Sequence, residues 1–129
     1  MIEFIKSRAK AFGYAFSGWW HVIRTQRNAW IHALISVFVL VVGIWLKLPL
    51  KDWAFIVIAF ALVWIAEFLN TALEAVVDLA SEANHPLAIG GKDVGSAAVL
   101  IAAITAIVIG LLVLGPPLLD RIREIEIFY

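Results

Sequence analysis

Cysteine is absent from the 129 residues, which excludes disulfides and thiolate metal sites. Net charge is absent too. Ten basic and ten acidic residues cancel, so nothing in the charge balance points to nucleic acid or an acidic partner. A leader pattern is also missing: Met1 to Lys10 carries charges but no long apolar core with a cleavage signal after it. The N-terminus therefore reads as mature sequence. Proline occurs only four times, at Pro49, Pro86, Pro116 and Pro117.

What the chain has instead is apolar side chains. Hydrophobic residues make up 64% and mean hydropathy is +0.98, whereas soluble domains average about 45–50% apolar. The class is a small integral membrane protein of one domain. Three apolar stretches run over about 29–46, 53–80 and 94–114. A span needs about 20 residues to cross a core of about 30 Å, and only helices suit so few segments. The expected fold is therefore all-α, with three transmembrane helices. Lys47–Asp52 is the expected first loop. Glu82–Pro86 with Gly90-Gly91 forms the second, and Pro116-Pro117 closes the third span, leaving 116–129 as an extension. In that extension Leu118, Leu119, Ile122 and Ile125 keep helical spacing.

Residues 2–24 form a different element. Ile5, Ala9, Phe12, Phe16, Trp19 and Ile23 recur every three or four positions, with Lys6, Lys10, His21 and Arg24 between them. That pattern predicts an amphipathic helix on the membrane surface, or one packed on a neighbouring subunit. Lys6, Arg8, Lys10, Arg24 and Arg27 in the first 30 residues point to a cytoplasmic location for this end.

The second apolar stretch holds an anomaly. Glu67, Asn70, Glu74 and Asp78 are offset by three, seven and eleven residues. At about 100° per residue all four fall within roughly 80° of one another. A charge at the centre of a membrane helix costs about 2.5–3.5 kcal/mol on insertion scales, so the stripe needs a partner or a function. A three-span topology brings to the same side the start of the first span, with Gln26, Arg27, Asn28 and His32, and the start of the third, with Lys92, Asp93 and Ser96. If the core begins near Trp53, Glu67 lies inside it by roughly 8 Å, and Glu74 and Asp78 emerge into the interface.

Metal-assisted phosphoryl transfer suits this column. Glu74 has the oxygen chemistry and depth for Mg²⁺, Lys92 suits a phosphate, and the partly desolvated Glu67 suits a general base for an alcohol. Gly90-Gly91 permits close backbone approach to a nucleotide. There is no G-x-x-x-x-G-K-[ST] loop and no protein-kinase signature set. The competing readings are that Glu67 and Asn70 knit helices together in a non-catalytic oligomer, that Glu74 and Asp78 are solvated helix-end charges, and that Lys92-Asp93 is a local pair opening a helix. His32 and His85 have no partner at metal-ligand spacing, and the tryptophans read as interfacial anchors.

The runs A-E-F-L-N-T-A-L-E-A-V-V-D at 66–78 and G-K-D-V-G-S-A-A-V at 91–99 resemble the signature of prokaryotic diacylglycerol kinases and undecaprenol kinases. The likeness extends from the N-terminal helix to about Leu114. Arg24-Thr25-Gln26-Arg27-Asn28 with Ile31-His32, and His85-Pro86-Leu87-Ala88, look more like the undecaprenol kinase branch. The resemblance implies a homotrimer that transfers the ATP γ-phosphate to a membrane lipid alcohol, undecaprenol or diacylglycerol, with Mg²⁺. It implies that Glu67 is the catalytic base and that Asn70, Glu74, Asp78, Lys92 and Asp93 contact metal and nucleotide. It also implies a site shared between subunits. Gln26 departs from the pattern, because the family usually has a metal-holding glutamate there, and glutamine keeps an oxygen but loses the charge.

Overall fold

The computed structural model describes residues 1–81 and 84–127. Four helices account for nearly all of them: α1 (Ile2–Thr25), α2 (Arg27–Trp45), α3 (Leu50–Ala80) and α4 (Pro86–Ile127). The last three are long and apolar enough to cross a membrane. At about 1.5 Å per residue α3 is roughly 46 Å long and α4 roughly 63 Å, so both exceed a bilayer core of about 30 Å.

The ends of these helices have local causes. One residue, Gln26, separates α1 from α2. Its extended backbone (φ −104°, ψ 116°) ends one helix and begins the next, while its N–H still bonds the Val22 carbonyl at 2.9 Å. Arg24 lies in the last turn of α1, the favourable end for a cation. α2 closes in a Schellman pattern: the Lys47 N–H reaches the Ile44 carbonyl and the Leu48 N–H the Gly43 carbonyl, both at 3.1 Å. The residue in the left-handed conformation is Lys47 (φ 54°), where glycine is the usual occupant. Packing of Leu48, which is buried, supplies the apolar contact that holds such a turn closed. Pro49 and Asp52 then open α3. Pro86 occupies the first position of α4, where its missing N–H costs nothing, and His85 Nδ1 accepts the Leu87 N–H at 3.2 Å.

α3 and α4 run antiparallel. Gly91 faces Val77 and Gly95 faces Asn70 and Leu73 at one end. Leu48, Ile56 and Val113 form a small core at the other, with Trp53, Phe60 and Ile109 packed on it. α2 lies antiparallel to α3 as well. A Cβ at Gly43 would meet Trp53 Cη2 at 2.8 Å, so only glycine lets these helix ends close. The starts of α2 and α4 thus meet the end of α3, as the three-span reading requires. Most large apolar side chains of the spans, such as Leu34, Phe38, Ile101 and Leu111, remain exposed on the single chain.

Two expectations need correction. Pro116-Pro117 does not end the third span; both prolines lie inside α4, which continues to Ile127. The lost bonds fall to the carbonyls four residues back, those of Leu112 and Val113. Gly90-Gly91 is not loop either but the second turn of α4, which starts well before Val94 because Pro86 and the His85 cap favour nucleation there. Residues 82 and 83 of the expected second loop lie outside the described residues.

Candidate active site

The polar stripe lies on one face of α3 and its exposure rises along the helix. Glu67 is 1% exposed and Asn70 9%, Glu74 is half-buried, and the Asp78 side chain is 59% exposed. From Glu67 to Asp78 the column climbs about 16 Å. Each step meets a different neighbour.

At the buried end, Glu67 Oε2 faces His32 Nε2 of α2 at 3.7 Å. This is too long for a hydrogen bond, and among the described residues neither atom has another partner. Thr71 Oγ1 returns its hydrogen bond to the Glu67 carbonyl at 2.9 Å, so it leaves the carboxylate unserved. Aromatic rings wall this end: Trp19 of α1 stacks on Trp64 at 5.1 Å and packs against Phe68 at 5.0 Å, and His32 meets Trp64 edge-on at 6.4 Å. Trp19 and Trp64 therefore join helices; they are not free interfacial anchors.

At the middle, Glu74 is held from two sides. Asn70 Nδ2 donates to Oε1 at 3.0 Å, one turn apart on α3, and Gln26 Nε2 donates to Oε2 at 3.4 Å. Asn70 Oδ1 is buried without a partner and points to Gly95, where an added Cβ would overlap it and lie 3.1 Å from Leu73 Cδ2. Glycine at 95 is what lets α4 pass this amide. Gly95→Ala is expected to evict the Asn70 side chain from its bond to Glu74, at a cost of about 1–3 kcal/mol for overpacking. Thermal unfolding in detergent reads that loss of stability, and a variant as stable as the parent would show that the helices part freely.

At the exposed end, Lys92 of α4 forms an ion pair with Asp78. Lys92 sits in the second turn of α4 and crosses to α3, so it does not open the helix in a local pair with Asp93. Asp93 is exposed, and among the described residues it has no bond to the other site residues. Among the described residues no three His, Cys, Asp or Glu side chains cluster as a ready-made metal site. The Glu74 carboxylate, which here accepts N–H bonds from the Asn70 and Gln26 amides, instead suits a cation that arrives with phosphates and water, as Mg²⁺ does.

Each buried atom left unbonded costs about 1–3 kcal/mol. Among the described residues three such atoms, on Glu67, His32 and Asn70, lie close to one another at this end of the bundle. From the sequence, His32 is expected at the same end of the bundle as the stripe, as found, but has no assigned role. Its pairing with a residue 35 positions away has no signal in local spacing; the only clue is that His32 is the sole strongly polar interruption of its span.

Comparison with known proteins identifies the family. The prokaryotic diacylglycerol kinase family matches residues 13–114. An undecaprenol kinase of Bacillus subtilis is 38% identical over 84% of this chain and 89% of its own. A diacylglycerol kinase of Synechocystis is 43% identical over 85% of this chain, though only 63% of its own. A diacylglycerol kinase of Escherichia coli is 36% identical over 77% of this chain and 81% of its own. The match takes in the whole α3 column, Gln26, His32 and the Lys92 turn of α4, and the chain belongs to the prokaryotic diacylglycerol kinase family.

Proposed function

We propose that this protein is a membrane lipid kinase that transfers the ATP γ-phosphate to undecaprenol. The observation that carries the reading is the single α3 face that runs from a buried carboxylate at Glu67, whose Oε2 is unbonded among the described residues, to an exposed lysine–carboxylate pair at Asp78 and Lys92. One end suits a hydroxyl delivered from the lipid, the other a charged, water-soluble nucleotide.

In this reading the alcohol oxygen attacks the γ-phosphorus, its proton passes to the Glu67 carboxylate, and ADP leaves. Lys92 exchanges Asp78 for phosphate oxygens as a point charge, and Asn70, Asp78 and Asp93 border the nucleotide. Glu74, with the amide oxygen of Gln26 turned toward it, would hold Mg²⁺. When bound, that ion neutralises charge on the phosphates. Gln26 gives up its Nε2 bond to Glu74 to present its amide oxygen, and the Asn70 bond holds the Glu74 carboxylate in place. The N-terminal end and this site face the cytoplasm, α1 lies on the membrane surface, and three copies associate through the exposed faces of the spans.

Family membership favours a kinase over a non-catalytic packing role for the stripe. Undecaprenol is preferred for the 24–28, 31–32 and 85–88 segments and for coverage of nearly all of the Bacillus subtilis relative. A diacylglycerol acceptor is the second reading, favoured by the 43% identity to the Synechocystis enzyme. Protein in bicelles with labelled ATP, Mg²⁺ and either lipid decides between them. Label should enter undecaprenol faster; faster labelling of diacylglycerol reverses the choice, and labelling of neither removes the kinase reading.

Gln26 makes a further expectation. Gln26→Glu adds a second carboxylate beside Glu74 and should lower the Mg²⁺ concentration for half-maximal activity by about tenfold, since ligand charge count tunes cation affinity. An unchanged Mg²⁺ curve would place the cation elsewhere.

A further inference from the structure

The geometry points to His32 as the positioning residue for Glu67: its Nε2–H anchors Oε2 of the buried carboxylate and leaves Oε1 to take the proton of the acceptor alcohol. This rests on the lipid-kinase reading and adds to it a residue from a different helix. Four observations lead there. Glu67 Oε2 and His32 Nε2 are both buried, and among the described residues neither has a hydrogen-bond partner. They face each other at 3.7 Å, so an approach of under about 1 Å completes an ordinary hydrogen bond. The imidazole is fenced by Trp64, one turn before Glu67 on α3, and Trp64 is itself stacked on Trp19 of α1. Other polar groups of the column are engaged elsewhere: Thr71 bonds a backbone carbonyl, Asn70 and Gln26 bond Glu74, and Lys92 pairs with Asp78.

A carboxylate on a flexible side chain swings through several rotamers, and a general base must stand within hydrogen-bond reach of the proton it takes. A donor fixed on α2 and pressed against one oxygen selects a single orientation. The role needs an N–H at the position of Nε2 and does not need a positive charge. Glutamine, whose amide nitrogen sits at a similar reach from the backbone, should therefore replace histidine, whereas leucine should not.

The test compares wild type, His32→Leu and His32→Gln in bicelles with whichever alcohol the wild type phosphorylates. His32→Leu should lose about a hundredfold in kcat, the scale of a 1 Å misplacement, with KM for ATP unchanged, and His32→Gln should recover most of it. Full kcat in His32→Leu, or a His32→Gln variant as slow as His32→Leu, overturns the assignment. The ¹⁵N resonance of His32 Nε2, compared between wild type and Glu67→Gln, gives an answer that does not depend on either His32 variant folding. A shift is expected, and an unmoved resonance counts against the contact. A wild type that labels neither alcohol brings down the kinase reading and this role with it. An active wild type with an insensitive His32→Leu removes only the role of His32.

Discussion

Glu67→Gln is expected to transfer phosphate to the lipid about 10²–10⁴-fold more slowly than the wild type, the range a positioned general base contributes. The substitution is nearly isosteric and keeps the side chain between His32 and the α3 backbone. It removes a carboxylate that is 1% exposed and accepts no hydrogen bond at Oε2, and an uncompensated buried charge is a burden on the fold. Stability should therefore hold or rise while turnover collapses. Opposite movement of the two measurements, lipid phosphorylation and thermal unfolding, separates a chemical role from a packing one. Wild-type turnover in Glu67→Gln would end the case for this carboxylate as the base.

The second large effect is expected at Lys92. Lys92→Ala deletes the cation proposed to meet the transferring phosphate, and loss of one such preorganised group costs about 10²–10³ in rate. KM for ATP should rise with it. The fold should barely respond, because the ion pair to Asp78 is largely exposed, with side chains 35% and 59% accessible, and surface pairs contribute about 0–1 kcal/mol. Glu67→Gln and Lys92→Ala also form a complementation pair. A site shared between subunits predicts recovered activity when the two variants are mixed in one oligomer, and no recovery confines the site to one chain. A Lys92→Ala protein with wild-type kcat and KM would move the phosphate contact to another residue.

The stripe on α3 was readable in advance because it depends only on helical periodicity, and Glu67, Asn70, Glu74 and Asp78 do fall on one face. The pairing of Lys92 with Asp78 and of Gln26 with Glu74 was half readable. Counting spans puts those residues at one end of the bundle, but not which of them touch. Two features were hidden for a physical reason. Proline and glycine pairs are usually breakers because they remove a bond or add backbone freedom. Within α4 the intact turns on either side of Pro116-Pro117, and the packing of Gly91 on Val77, outweigh that local preference. The contact of His32 with Glu67 depends on how closely α2 approaches α3, a tertiary distance set along the whole helix pair, the close approach of Gly43 to Trp53 included. No local pattern around residue 32 carries that information.

The junction at Gln26 has a mechanical consequence. With a single residue between α1 and α2, and its N–H tied back to Val22, the connection has no slack. Any change in the tilt of α1 against the spans turns the backbone of Gln26, and its side chain is the one that reaches Glu74. Trp19, two turns earlier, is clamped on Trp64 and Phe68 beside Glu67. α1 is thus coupled to the column at two points, through Trp19 beside Glu67 and through Gln26 at Glu74, so a tilt of this helix shifts the buried end and the middle of the column together.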